Sequence, residues 1–387
     1  MAESSPGSDA PAAPYALIVD AGAVPDDWRR PWDSLAALAS EVDVFAEPWF
    51  FFAGIRHLRP EVEVRLIGIW RDRATLLGLL PVRIERRYGR TPVAHVQNWL
   101  HHQCFLGTPL VRRGAETLFW SAILETLDSA PWACGFLHVS GLVEDGPVHR
   151  GLVEAARALG RPCPTVHRSE RALLESNLSP QAYYEQAVRK KKRKEIARLS
   201  SRLAELGPVA TTTAATAREV EAYCDEFLAL EASGWKGRAR SALASDTAKE
   251  AFFRDAVTGA HAAGRLEFLR LAQGGKAIAM LVNFIAPPGG FTFKIAFDED
   301  FARFSPGVLI QLENLRVLDR ADIAWMDSCA AENHPMINSL WTERRAIVRV
   351  TVPLSGRRRR TAFAAARLLE QGSALLRGLF TPRKAER

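Results

Sequence analysis

Apolar and polar positions alternate along this chain in blocks that read as short helices and strands, and the series runs through twice. Residues 26–59 keep a helical spacing rich in aromatics, with Trp28, Trp32, Phe45, Trp49, Phe50, Phe51 and Phe52 and a break at Pro48. Next, VEVRLIGIWRDRATLLGLLPVRIERRYG sets two apolar runs on either side of Arg71-Asp72-Arg73, which predicts a β-hairpin. A third strand is predicted over Val93–Leu100, ending in the loop His101-His102-Gln103-Cys104. A helix over about 115–129, a strand over Gly135–Val139, a helix over about 147–159 and a short strand complete the first half.

The second half opens with SPQAYYEQAVRKKKRKEIARLSSRLAEL, read as one long helix over 179–206. Ser179 is its candidate N-cap, Pro180 its first residue and Gly207-Pro208 its stop. A Thr-rich strand (Val209–Thr213), a helix (Ala217–Ala232), the segment Gly234-Trp235-Lys236-Gly237 and a helix over about 246–263 follow. Three antiparallel strands come next, the first pair turned by Gly274-Gly275. LIGIWRDRATLLGLLPVRI (66–84) and LRLAQGGKAIAMLVNF (269–284) share one plan, so the chain reads as two copies of one α/β unit.

The stretch 291–343 holds the densest chemistry. It predicts a strand (Phe291–Ala296), an acidic loop, a helix opening at Ser305-Pro306-Gly307, and a strand (Ile323–Met326). A polar cluster follows, Asp327-Ser328-Cys329 and Glu332-Asn333-His334, and then a further helix. Ser305 is an N-cap by type, Pro306 suits a first helical turn, and Gly307 permits close approach to the backbone. The free N–H groups and positive dipole end of such a helix suit an anion such as pyrophosphate. A strand then delivers titratable side chains beside it.

Charge changes the picture at one place. The 387-residue chain carries a formal +7, and residues 357–387 alone hold nine cationic side chains against Glu370 and Glu386, so the remainder is neutral. Residues 361–380 place Ala365, Leu368, Leu369, Gly372, Leu375, Leu376 and Leu379 on one stripe, behind four arginines. That pattern predicts an amphipathic helix lying on an anionic membrane surface. Residues 1–14 read as a disordered leader without the features of a signal peptide. Five scattered cysteines without a CxxC pair argue against a disulfide scaffold or a structural zinc site, and fit a reducing compartment. The adjacent His101 and His102 point to opposite faces of a strand, a poor metal pair. The RKKKRK run (189–194) reads as a solvated helix face turned to a phosphate-bearing ligand or membrane, and nucleic acid is not the expected partner.

The order helix, helix, three antiparallel strands, helix, strand, helix, strand resembles the GNAT N-acyltransferase fold. A tandem of two such units is similar to the CelD/BcsL-like acetyltransferases and the Fem-type aminoacyl transferases. The matching segments are LEASGWKGRA (230–239), FTFKIAFDEDFARFSPGVLI (291–310) and DSCAAENHPMINSLWTERR (327–345). The usual Gln/Arg-x-x-Gly-x-Gly/Ala signature is absent, and Arg303-Phe304-Ser305-Pro306-Gly307 takes its place.

The resemblance implies an α/β (α+β) fold of two GNAT-like units, each a mixed, mostly antiparallel sheet flanked by helices. The expected divisions are 15–175, 176–355 with the activity, and a tail from 356. It implies a coenzyme A thioester as acyl donor, direct attack by an amine, and no metal. Phe293, Lys294, Ile295 and Ala296 would hold the pantetheine arm, and Arg303, Ser305, Gly307 and Val308 the pyrophosphate. His334 is the first choice for general base, with Asp327 to orient it and Glu231 as the alternative base. Trp235, Lys236 and Asn333 would line the acceptor pocket, and Cys329 would lie with them or carry the acyl group as a thiolate. The acceptor would be an amine of the cell envelope, a polysaccharide or a lipid, a sphingoid-like base included. The protein would then be cytoplasmic, peripheral on the inner face of the membrane. Two other classes stand beside this: a Fem-like transferase using aminoacyl-tRNA, and a non-catalytic adaptor in polysaccharide synthesis.

Overall fold

The computed structural model describes residues 13–58 and 63–380, with the side chains of 371–380 left aside. The expected leader falls almost wholly outside these residues. Twelve strands run β1 Tyr15–Asp20, β2 Val64–Trp70, β3 Leu76–Glu85, β4 His95–Asn98, β5 Phe136–Val143 and β6 Thr165–Leu174 in the first half. The second half supplies β7 Val209–Thr213, β8 Leu266–Gln273, β9 Lys276–Ala286, β10 Gly289–Phe297, β11 Trp325–Asp327 and β12 Glu343–Pro353. The helices are α1 Arg29–Leu38, α2 Pro48–His57, α3 Glu116–Ser129, α4 Pro147–Ala158, α5 Pro180–Ala187 and α6 Lys190–Ala204. Then come α7 Ala217–Ser233, α8 Trp235–Arg238, α9 Thr247–Ala262, α10 Pro306–Asn314 and α11 Arg357–Phe380.

All twelve strands form one sheet in the order β1-β2-β3-β4-β5-β12-β6-β11-β10-β9-β8-β7. Sequence composition explains the ends and the middle. β9, KAIAMLVNFIA, is buried along almost its whole length, as a strand covered on both faces must be. The terminal strands are β1 and the Thr-rich β7, which are largely exposed, and β-branched polar residues suit an edge. The sheet does not break between residues 175 and 176. β12, the last strand, inserts between β5 and β6 of the first half, antiparallel to both. β6 in turn pairs with β11. The two halves therefore complete each other's sheets.

The aromatic segment at the start of the chain also serves both halves. α2 lies against α9, where Phe50 meets Phe252 with ring centres 5.3 Å apart and Trp49 meets Phe284 at 4.9 Å. Arg56 and His57 both reach Asp255, at 2.5 and 2.8 Å. Burying several aromatic rings in one contact is worth several kcal/mol, and it fixes the halves' relative placement.

Three expectations change. The helix predicted over 179–206 is two helices, because Val188 and Arg189 take extended backbone angles between α5 and α6. Ser179 does cap α5, accepting from the Ala182 N–H at 3.3 Å. The helix expected after the 327–334 cluster is only a 3-10 turn at Ile337–Ser339. Finally, the first part of α11 docks on the first half of the chain: Arg359 donates to the carbonyls of Asp128, Ala130 and Ala133, and Phe363 packs edge-on to Phe136.

Candidate active site in the splayed second half

β10 and β11 run parallel, but only Gly289–Phe291 pair with Trp325–Asp327. Beyond Phe291 the strands part while β10 stays paired to β9 on its other side, with a β-bulge between Thr292 and Lys294. Residues 292–297 therefore present a strand edge without a strand partner on the β11 side, an invitation to an extended ligand. A buried polar network holds α10 against β9 beside that edge. Asn283 donates to Glu267 at 2.8 Å and to Asn314 at 2.7 Å, and Asn314 donates to Gln311 at 3.3 Å.

At the start of α10 the expected anion cradle is thinner than the sequence suggests. Ser305 is not a side-chain cap: it sits in the left-handed region (φ 54°, ψ 52°) and makes no capping bond. A 3-10 helix, Glu299–Phe304, runs straight into α10, and Ser305 is the joint between the two. Its N–H donates to the Ala302 carbonyl, and the Val308 N–H donates to the Ser305 carbonyl, both at 2.9 Å. Of the three amides expected to face an anion, only that of Gly307 is left without a partner among the described residues. Around Gly307 lie Ile295, Phe297 and Met336. Arg303 is exposed, with its guanidinium 4.8 Å from the Phe304 ring.

Lys294 is the charged side chain closest to the unpaired edge. Burial pushes its ammonium down to about 8, with Lys236 adding to the effect and Glu231 opposing it. Its Nζ lies 5.2 Å from the rings of both Phe293 and Phe105, the latter from the loop after β4. Glu231, buried at the end of α7, accepts from Lys236 Nζ at 2.7 Å and from the Leu243 N–H at 2.8 Å. Glu299 ties α8 to the end of β10, accepting from the Trp235 N–H and from Arg238, both at 2.6 Å. Trp235 itself is 56% exposed.

The 327–334 cluster divides. Asp327 is fully buried and does not orient His334: its oxygens are taken by Arg171, Arg345 and the Cys329 N–H. Burial alone would raise that carboxyl, but the two guanidinium groups outweigh it and hold it below the usual range. His334 is half-buried in the following loop, its Nδ1 accepting from the Ile337 N–H at 3.5 Å, and no carboxylate bonds it. A neutral imidazole held that way carries its proton on Nε2, the tautomer of a donor. Cys329 is buried, and burial together with Asp327 raises its thiol well above the ordinary value, a setting that disfavours a thiolate. Asn333 is exposed.

Residues 190–334 match the family Acetyltransferase (GNAT) domain. FemX has a related structure, with a TM-score of 0.53 at 10% identity, covering 83% of this chain and 95% of that one. So does a conserved protein of unknown function from Bacteroides thetaiotaomicron, at 0.53 and 11%, covering 84% and 97%. The C-terminal domain of a putative lysylphosphatidylglycerol synthetase from Agrobacterium fabrum gives 0.52 at 12%, covering 91% and 98%. No curated protein matches the chain in sequence. Residues 190–334 thus match a GNAT acetyltransferase domain, and the whole chain shares its overall fold with these structures.

Within residues 190–334 the strand over Phe291–Ala296 is legible in the sequence, and the partners supplied by other segments are not. Phe105, Arg171 and Glu299 lie 61 or more residues from the groups they touch or on loops without a pattern, so no local spacing announces them. Among the described residues no cluster of side chains could hold a metal ion, and no helix is long and apolar enough to cross a membrane.

Proposed function

We propose that the protein is an acyl-CoA-dependent N-acyltransferase whose donor lies along residues 292–297 and whose acceptor is an amine of the cell envelope, a polysaccharide or a lipid. The observation that carries this reading is the unpaired edge of β10 with a half-buried lysine of lowered basicity on it. An extended pantetheine arm can add to that edge through backbone hydrogen bonds, and its pyrophosphate reaches the Gly307 amide. The acceptor amine attacks the thioester carbonyl: a C–N bond forms, the C–S bond breaks, and the sulfur leaves as thiolate. The proton lost by the amine passes to neutral Lys294 and then to the thiolate, so the balance closes within the site. A group titrating near 8 suits that shuttle. Glu231 steers the cationic amine through its charge, beside Lys236. A sphingoid-like base is one acceptor of this class, and a site on the inner face of the membrane would give access to it.

The test is thermal unfolding of the protein with acetyl-CoA, a long-chain acyl-CoA and free coenzyme A, beside the variant Gly307→Asp. A ligand that binds only the folded state adds about 2.7 kcal/mol at a hundredfold excess over Kd. An aspartate at 307 puts negative charge where the phosphates would sit, while its Cβ meets only ordinary contacts, the nearest being Met336 Sδ at 3.4 Å. A shift in the wild type that vanishes in the variant supports the donor; no shift with any thioester removes it. The second reading, an aminoacyl-tRNA donor, draws on one feature, the exposed Lys190, Lys191 and Lys194 on α6. A gel shift with charged tRNA decides it.

A further inference from the structure

The first half repeats the splay of the second. β4 and β5 are parallel neighbours joined only at Val96↔Leu137 and Gln97↔His138, and β5 continues beyond. A cavity of about 830 Å³ lies over these strands and the neighbouring β12 and β6, walled by His95, Gln97, His138 and His167, with Arg87, Arg90 and Arg349 around it and α11 across it. That volume falls within the ~300–1,000 Å³ usual for pockets that take organic ligands.

Two independent features mark this cleft as built for a ligand. His138 is only 6% exposed, its Nε2 is bonded to Ser140 Oγ at 3.0 Å, and its Nδ1 has no partner. A buried ring nitrogen without a partner is costly, and a ligand that reaches it removes that cost. When the Ser140 hydroxyl donates to Nε2, Nδ1 is the protonated nitrogen and a donor. Burial, helped by His95 and Arg349, lowers this imidazole to about 3, so it stays neutral. The second feature is surplus positive charge. Arg87, Arg90 and Arg349 have no ion pair or hydrogen bond among the described residues. Arg87 and Arg90 flank a turn fixed by the paired backbone bonds of Tyr88 and Thr91. The one carboxylate in the lining, Glu370, is already bound by Arg367 and by the Tyr88 hydroxyl.

We propose that the cavity between the sheet face and α11 is a second binding site, separate from the β10 edge, that takes an organic phosphate ester. The phosphate lies against Arg349 and the free nitrogen of His138, and the organic body fills the cavity beneath α11. A single carboxylate would leave most of the three guanidinium charges unanswered, whereas a phosphate dianion offers two charges and three oxygens that planar guanidinium forks can engage in pairs. The cavity also leads onward. Ser140, His167 and Arg349 line it and also a neighbouring space of about 260 Å³, which is lined as well by Arg171 of β6 and by Ala330 and Glu332 on the loop after β11. A ligand anchored in the first half thus extends toward the second.

The experiment is titration calorimetry of the full chain with glycerol 3-phosphate, glucose 6-phosphate and inorganic phosphate, on wild type, Arg349→Ala and Gly307→Asp. Arg349 is exposed, so its removal leaves the fold intact, which a melting curve checks. The expected result is that at least one ester binds tenfold or more tightly than inorganic phosphate. Arg349→Ala should weaken that ester at least tenfold, and Gly307→Asp should leave it unchanged. Esters no better than inorganic phosphate, or binding that survives Arg349→Ala, would overturn the proposal. Loss in Gly307→Asp would overturn it too, by placing the ester at the donor edge. The donor reading is unaffected by any of these outcomes, because no thioester is used.

Discussion

Arg171 of β6 and Asp327 of β11 join opposite halves of the chain across neighbouring strands, with Nε 2.7 Å from Oδ1 and Nη2 donating to Oδ2 at 2.8 Å. Arg345 of β12 adds a third charge at 3.2 Å and lies 3.7 Å over the Trp325 ring. The triad sits where the strands exchanged between the halves meet, so it locks the seam that also frames the donor edge.

Asp327→Asn removes the only formal negative charge on the carboxylate side of this triad and leaves two guanidinium groups buried around a neutral amide. Breaking one partner of a buried pair typically costs about 3–5 kcal/mol. Urea unfolding should show a loss of that order, and substituting Arg171→Met in the same chain should return part of it. The carboxyl is held below its ordinary value in the folded state, so its contribution is present above the unfolded pKa and disappears as pH falls through the lower folded one. A loss under 1 kcal/mol in Asp327→Asn would contradict the structural role.

Lys294 gives a pH signature of the opposite kind. Its folded value of about 8 lies below the ordinary 10.5, so between those two the unfolded chain binds more protons. Stability therefore rises with pH through that window, because the penalty for a buried ammonium is lifted. Lys294→Met should stabilise the protein at neutral pH by roughly 1–3 kcal/mol, a gain that shrinks toward pH 10.5. The same variant should abolish amine-dependent release of coenzyme A thiol, and wild-type turnover should climb as pH approaches about 8. A variant with full turnover would remove Lys294 as the proton carrier.

Those two residues also show how far the chain can be read before it folds. The apolar runs of β9 and β10 made the strands themselves legible, because such runs are local and strong, whereas a ligand role for residues 293–296 came only from the resemblance. Asp327 was equally visible, but its partners were not: Arg171 lies 156 residues earlier on a strand from the other half. Ser305 illustrates a different failure. Its residue type suits a cap, yet a preceding 3-10 helix forces it into a left-handed joint, and that depends on how residues 299–304 coil. The strand exchange by β12 is invisible for the same reason, since IVRVTVPL would serve equally well at either position in the sheet.

Cys329 is expected to be dispensable for chemistry. It has a positive φ of 50° and a thiol raised by burial and by Asp327, far from the low-pKa, accessible setting of a nucleophile. Cys329→Ala should keep amine-dependent thiol release within about twofold of wild type, and no acyl group should stay on the protein when the acceptor is left out. A mass increase equal to one acyl group, lost in Cys329→Ala, would restore the covalent route.

The arginine run that opens α11 divides into one packed side chain and three exposed ones. Arg359 is half-buried and clamps three carbonyls of the first half, at 2.8, 3.1 and 2.8 Å, while Arg357, Arg358 and Arg360 are exposed. Leu368 and Leu369 are 69% and 51% exposed on the same helix. Arg359→Ala should therefore lower thermal stability, by about 1–3 kcal/mol for the charge-assisted bonds it removes. The triple change of Arg357, Arg358 and Arg360 to Glu should leave the melting temperature within a degree or two and still release the protein from phosphatidylserine liposomes, each lost cation being worth about 1 kcal/mol at such a surface. Binding should also weaken as salt rises, since exposed charges are screened over about 8–10 Å at physiological strength. Liposome binding that survives the triple change and high salt would show that charge does not hold this helix to a membrane.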